Sequence, residues 1–191
     1  MPSPSAVLAL ARWENALISA AGVALGAWWA GGDPIAPRVV AAAAAAAMLA
    51  VHANAYNDVC DREIDAVAHP RRPLPSGQMT TRAALGTAIA GGVLGIALSA
   101  AARPVLGLLS VAVVGLMVAY NRGIKRRGLP GNLLVAGLAS FPFLYGAWAV
   151  GRPRAALVNK RIVGGDAVRL TGRCAVDVDA QHLAEQRGQV L

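Results

Sequence analysis

The chain has 191 residues, of which 56% are hydrophobic and only 15% charged, with a formal net charge of +8 and a mean hydropathy of +0.50. Such a composition excludes an ordinary soluble domain and describes a polytopic membrane protein. The positive balance, 18 Lys and Arg against 10 Asp and Glu, is accounted for by membrane-proximal loops facing anionic lipid, so no nucleic-acid partner is expected.

In chain order, the start Met1-Pro2-Ser3-Pro4-Ser5 places no basic side chain before its first apolar residues, and no signal peptide is expected. Uncharged stretches follow at 16–32, 39–57, 83–102, 104–121 and 128–151. Each predicts a helix near the length of about 20 residues that crosses hydrocarbon, five spans in all. Their Gly and Ala, including the Ala run at 41–47, suit close helix packing in lipid. Arg62, Arg71, Arg72 and Arg82 lie between the second and third stretches. Arg122, Lys125, Arg126 and Arg127 lie between the fourth and fifth, against single Arg38 and Arg103 in the alternate loops. That bias predicts a multi-pass protein of the plasma membrane with both basic loops on the cytoplasmic side. Trp28, Trp29 and Trp148, near span ends, read as interfacial residues. Cys60 and Cys174 lack metal-ligand spacing and read as unpaired thiols. The chain changes character near Val158. We therefore expect a transmembrane domain over 1–158 and a polar tail over 159–191, soluble or disordered, its abrupt onset suggesting a frameshift, a truncated gene or an altered terminus.

Directly after the second stretch, Asn57-Asp58-Val59-Cys60-Asp61-Arg62-Glu63-Ile64-Asp65 holds four of the ten acidic side chains. If the helix continues, Asn54, Asp58, Asp61 and Asp65 recur at intervals of four, three and four and share one face. Carboxylates this close repel unless a cation or basic partner offsets them. Magnesium takes one or two carboxylates plus phosphate oxygens, so an acidic helix end beside Arg71 and Arg72 fits a metal-diphosphate site better than a closed cage. Those arginines lie in a proline-stiffened loop, His69-Pro70-Arg71-Arg72-Pro73-Leu74-Pro75-Ser76-Gly77. The plainer reading is a solvated helix end in which Arg62 pairs with Asp58 while Arg71 and Arg72 reach lipid phosphate. An EF-hand is excluded by its missing central glycine and ligand alternation. His52, off the acidic stripe and without a second His or Cys, reads as a packing residue.

These motifs together resemble the UbiA-type prenyltransferase family. Its first aspartate-rich motif is similar to residues 57–65 followed by Arg71-Arg72-Pro73-Leu74-Pro75-Ser76-Gly77. Arg12-Trp13-Glu14-Asn15 is similar to an Arg-Pro-x-Asn start of the first helix, with Trp13 in place of proline, and Tyr120-Asn121-Arg122-Gly123-Ile124-Lys125-Arg126 resembles a Tyr-x-x-x-x-Lys-Arg loop. The resemblance implies an all-α integral membrane enzyme, normally a nine-helix bundle, of which the five spans match the first half. It would move a polyprenyl group from its diphosphate to a membrane-soluble acceptor. Magnesium would be held by Asn57, Asp58, Asp61 and Asp65. Asp58, Asp61, Lys125 and Tyr120 are the implied catalytic residues, with Arg72 and Lys125 neutralising the leaving diphosphate and Tyr120 facing the allylic cation or sitting as an interfacial aromatic. Arg12, Asn15, Asn54, Asn57, Arg71, Arg72 and Arg126 complete the implied substrate-binding set, although Arg12 and Asn15 fit equally a helix anchored at the headgroups.

The family's second aspartate-rich motif has no match, since Asp177-Val178-Asp179 follows no span and reads as solvated tail. A non-catalytic, phosphate-binding fragment therefore stays open beside the enzyme. A transporter ranks last, because its charges would sit mid-span. The first helix, Asn15-Ala16-Leu17-Ile18-Ser19-Ala20-Ala21-Gly22, is similar to that of members that attach a geranylgeranyl group to a glycerol-phosphate ether lipid, and the resemblance therefore implies that acceptor first. Quinone, haem and chlorophyll precursors remain alternative acceptors. Oligomeric state is not legible.

Overall fold

The computed structural model describes residues 3–156, and among these there is helix and no strand. In order these are α1 (Pro4–Ala11), α2 (Trp13–Trp29), α3 (Pro37–Cys60), α4 (Arg62–Ala68), α5 (Thr81–Ala102), α6 (Pro104–Arg122) and α7 (Leu129–Ala149), with 3-10 turns at Ile124–Arg127 and Pro153–Ala156. The polar tail expected over 159–191 lies outside the described residues.

Helix starts follow local chemistry. Ser3 Oγ caps α1 by accepting from Ala6 N at 3.2 Å, and Thr80 Oγ1 caps α5 by accepting from Ala83 N at 3.2 Å. Pro37 and Pro104 open α3 and α6, where a missing N–H costs nothing. All five predicted stretches are helical. Of these, α3, α5, α6 and α7 are long and apolar enough to cross a membrane. Helix α2, with 17 residues, spans about 25 Å, at the short end of the crossing range. The protein is a multi-pass, membrane-embedded helical assembly.

Helix α3 packs against α1, α2, α5, α6 and α7, and small residues allow the approach. A Cβ built on Gly91 of α5 would lie 2.9 Å from the Met48 carbonyl oxygen of α3, and one on Gly95 would lie 2.9 Å from Leu49 Cγ. Between α2 and α7 the backbones themselves meet. A Cβ on Gly26 would strike the Phe143 carbonyl, and one on Gly146 would strike the Val23 carbonyl and the Ala27 nitrogen. Backbone cannot yield as a side chain does. Gly146→Ala should therefore cost about 3 kcal/mol, read as a lower melting temperature in detergent, whereas Gly137→Ala, with open space around it, should be neutral.

Two apolar clusters sit toward opposite ends of the bundle. One gathers Val23, Ala27, Val39, Ala42, Leu106, Tyr145 and Ala149. The other joins Ala6 and Leu10 of α1 to Ala55, Leu74, Met79, Ala84 and Ala88, so the loop after α4 is anchored by burying Leu74 and Met79. A buried hydroxyl triangle unites α5, α6 and α7. Ser99 Oγ donates to Gly95 O at 2.6 Å and accepts from Ser110 Oγ at 2.8 Å and Tyr145 Oη at 2.5 Å. With Ser110 and Tyr145 donating to Ser99 and Ser99 donating to the backbone, every hydroxyl proton is placed in surroundings that would otherwise penalise it.

His52 packs as expected, buried with Nδ1 2.9 Å from Ala88 O and its ring stacked on Tyr56. Trp28 is exposed as an interfacial residue would be. Trp29 and Trp148 differ from that expectation. They are partly buried, Trp29 against Phe143 at 6.3 Å and Trp148 against the Tyr145 cluster.

Candidate functional site

Helix α3 runs into α4 with only Asp61 between them, and helical hydrogen bonding continues through the joint. Asp61 N donates to Asn57 O at 2.9 Å, and Asp65 N donates to Asp61 O at 2.8 Å. The acidic face inferred from spacing is therefore kept across the break. Asp58 and Asp65 are buried, 3% and 4% exposed, which makes charge compensation obligatory.

A basic side chain from a different segment meets each carboxylate. Arg12 Nη2 lies 2.5 Å from Asp58 Oδ1, Arg72 Nη1 lies 2.6 Å from Asp65 Oδ2 and 3.8 Å from Asp58 Oδ1, and Lys125 Nζ donates to Asp61 Oδ1. The simple helix-end pairing of Arg62 with Asp58 does not form. Arg62 is exposed and reaches Thr81 Oγ1 at 3.3 Å and Glu63 at 4.0 Å.

Backbone geometry aims all three bases. Arg12 has φ 48, the one positive φ outside glycine among the described residues, at the break between α1 and α2. Asn54 Nδ2 donates to Ala11 O at 2.9 Å and so satisfies a carbonyl that the break exposes. Strain of this kind persists where surrounding contacts over-determine it, and here the Asp58 ion pair and the Asn54 bond are those contacts. Arg72 is set by the proline-rich loop, closed by Ser76 N to Arg72 O at 3.0 Å, Met79 N to Pro73 O at 3.0 Å, and Gly77 at φ 76. Lys125 lies in the 3-10 turn before α7. Gly131 of α7 sits against that turn, where an added Cβ would lie 2.8 Å from Ile124 O.

Two cavities lie on either side of Arg12. A cleft of about 470 Å³ is lined by Arg12, Asp58, His69, Arg71, Arg72 and neighbouring residues. A second of about 490 Å³ runs between α2, α3, α6 and α7, with Asn15, Asn54, Asn57, Tyr120 and Asn121 at one end and Ala46, Val113, Phe141 and Tyr145 further along the same helices. Arg12 lines both. Arg71 is exposed in the cleft, and Arg126 is exposed on the 3-10 turn and lines neither cavity.

Among the described residues no three His, Cys, Asp or Glu side chains form a ready-made metal cage. The donor chemistry nevertheless fits a hard cation in an open site. Asp58 and Asp65 converge on one guanidinium nitrogen, so the fold already directs carboxylate oxygens from two turns of helix at a single positive centre. Sequence spacing missed two features. One is the Asn54 bond to Ala11. The other is Asn121, whose buried Oδ1 has no hydrogen-bond partner among the described residues.

Comparison with known proteins agrees with this architecture. The model of the UbiA prenyltransferase family matches residues 17–158. The chain belongs to the UbiA prenyltransferase family. It is 36% identical over 158 residues to digeranylgeranylglyceryl phosphate synthase of Korarchaeum cryptofilum, covering 83% of this chain and 54% of the relative. It is 39% identical over 158 residues to the synthase of Halobacterium salinarum, covering 81% and 56%. The chain thus spans about half the length of the curated relatives it matches. A solved structure described for digeranylgeranylglyceryl phosphate synthase in membranes superposes with a TM-score of 0.76 at 23% identity, covering 80% of this chain and 55% of that one. Within this UbiA-family fold the acidic joint and its three basic partners occupy one end of the bundle, and the largely apolar cavity runs from there along the helices.

Proposed function

We propose that the site binds an isoprenoid diphosphate with magnesium and transfers its prenyl group, geranylgeranyl by preference, to the hydroxyl of a glycerol-phosphate ether lipid. One observation carries the reading: a charged cleft holding Arg12, Asp58, Arg71 and Arg72 lies beside a largely apolar cavity, and Arg12 lines both. An amphipathic ligand with an anionic head and a hydrocarbon chain matches that juxtaposition. The names of the relatives support the lipid acceptor.

Asn57, Asp58, Asp61 and Asp65 would hold the metal, which would supply positive charge to stabilise the diphosphate. Arg72, Arg71 and Lys125 place cationic donors where charge grows on the departing oxygens as the bond to the first prenyl carbon breaks. The cavity walls shield the allylic cation from water, and the Tyr120 ring offers it a π face. The acceptor hydroxyl oxygen then bonds to that carbon and gives up its proton, which the released diphosphate can take. Asn15 and Asn54 stand at the polar end of the cavity, and Asn54 also braces Arg12. In this reading the acidic joint and both basic loops face the cytoplasm across the plasma membrane.

Transfer of labelled geranylgeranyl from its diphosphate, assayed in purified membranes with magnesium, tests the proposal. Asp58→Asn and Asp61→Asn should each lower transfer by about 100-fold or more. Equal signal in wild type and both variants would remove the catalytic reading, and diphosphate binding without transfer would favour a non-catalytic domain.

A further inference from the structure

The end of the bundle away from the acidic joint, a length of α3 or about 36 Å distant, brings together the C-terminus of α2, the start of α3, the link between α5 and α6, and the C-terminus of α7. Val39, Ala102, Leu106, Ala149 and Val150 of these segments pack in one apolar cluster. Arg38, Arg103, Arg152 and Arg154 stand beside them in the chain, and Asp33 is the one acidic side chain among the described residues of these segments. None of the four arginines has an ion pair among the described residues. The contrast with the joint is chemical. There Arg12 and Arg72 are held by carboxylates, whereas here the anchored arginines meet only carbonyl oxygens. Arg103 Nη1 donates to Trp148 O at 3.2 Å, and Arg152 Nη1 donates to Gly31 O at 2.8 Å and Ala30 O at 3.2 Å.

Those bonds satisfy carbonyls that the ends of α2 and α7 leave without helical partners, and they use Nη1 alone. The Nε and Nη2 edge of each guanidinium, which can pair with two oxygens of a phosphate, makes no hydrogen bond among the described residues. The two groups are neighbours. A Cβ built on Gly151, the residue before Arg152, would lie 2.5 Å from Arg103 Nη1, and glycine at φ 76 permits the approach. A neutral donor would serve each carbonyl equally well, whereas two like charges side by side repel and are stabilised by a shared anion. The setting selects the anion. Trp28 and Ile35, 60% and 78% exposed, stand at the same end, where aromatic residues meet headgroups and lipid phosphates are concentrated. Leu25, exposed one turn before Trp28 on α2, continues an apolar face along which acyl chains can lie. We propose that Arg103 and Arg152, with Arg38 and Arg154 adding charge around them, bind the phosphate of an anionic phospholipid headgroup. Nothing in this site depends on the chemistry at the joint of α3 and α4.

Native mass spectrometry of the full chain in a neutral detergent, titrated with phosphatidylglycerol or with phosphatidylcholine of the same chain length, tests this. Wild type should hold phosphatidylglycerol about tenfold or more tightly. Arg103→Gln combined with Arg152→Gln, in which each residue keeps a neutral donor for its carbonyl, should erase that preference. Arg82→Gln combined with Arg127→Gln, exposed arginines at the other end of the bundle, should keep it although the same charge is lost. Wild type without a preference would overturn the proposal with no variant having to fold. A preference that survives in the Arg103 and Arg152 variant, or that falls equally in both double variants, would overturn it as well, the latter by showing attraction to net charge instead of a site. Inorganic phosphate is the last arm. Phosphatidylglycerol should stay bound in excess phosphate, and its release by an equal concentration of phosphate would make the ligand a free anion and contradict a lipid site.

Discussion

Arg72→Ala should lower the stability of the protein by about 2–3 kcal/mol and, separately, remove most of its affinity for an isoprenoid diphosphate. The stability loss follows from burial. Asp65 is 4% exposed and its near partner is Arg72 at 2.6 Å, while Asp58 retains Arg12. Removing one member of a buried pair typically costs about 3–5 kcal/mol, because the orphaned charge keeps its desolvation penalty. The Arg72 side chain is 31% exposed, and water reaching the vacated space reduces that figure. Arg72→Ala combined with Asp65→Asn should recover at least half of the lost stability, since the orphan is then neutral. Arg71→Ala makes the contrast. Arg71 is exposed and has no ion pair among the described residues, so its loss should leave the melting temperature unchanged while weakening diphosphate binding. Thermal unfolding in detergent, paired with ligand titration, separates the two effects.

Lys125→Met should reduce prenyl transfer by about 100- to 1,000-fold with a much smaller effect on stability. Met keeps the apolar stem and removes the ammonium that joins the 3-10 turn to Asp61. Both partners retain some exposure, 16% for Lys125 and 20% for Asp61, so an orphaned Asp61 can be hydrated. Arg126→Met, one residue on and exposed, should change transfer little. Lys125→Met and Asp61→Asn should combine less than additively, because each disables the same contact. Single-turnover rates on the four proteins measure that coupling.

Much of this arrangement was legible in the chain itself, because it depends on local spacing. Hydrocarbon-length stretches placed five helices correctly, and the four, three, four interval put Asp58, Asp61 and Asp65 on one face before any partner was known. The pairing of those acids was not legible. Arg12 is 46 positions from Asp58 and Lys125 is 64 from Asp61, and helical period says which residues share a face without saying which helices meet. Arg62, the neighbour in sequence, was the natural candidate for Asp58, yet it projects outward while a residue held at positive φ reaches the site. The Ser99, Ser110 and Tyr145 triangle is hidden for the same reason, as single hydroxyls on three helices become a network only once packed. Asn121 reads as an ordinary helix-end amide until burial shows that half of it lacks a partner. The glycines of α2 and α7 signal close packing in general, whereas only the fold shows that Gly26 faces the backbone at Phe143 and Gly146 the backbone at Val23 and Ala27.

Under the proposed function, the ion pairs also set how the two ligands bind. Diphosphate arriving alone would draw Arg72 and Lys125 from their carboxylates and leave those acids facing phosphate, and magnesium arriving alone would meet the guanidinium groups. Together the two ligands exchange partners with the site, so each should favour the other by reciprocal linkage. Titration of the purified chain with a non-hydrolysable geranylgeranyl diphosphate analogue, with and without magnesium, measures this directly. Affinity should rise by about 100-fold with the metal, and the rise should vanish in Asp58→Asn. Affinity that is indifferent to magnesium, or that responds equally in wild type and Asp58→Asn, would contradict a metal-diphosphate site at the joint of α3 and α4.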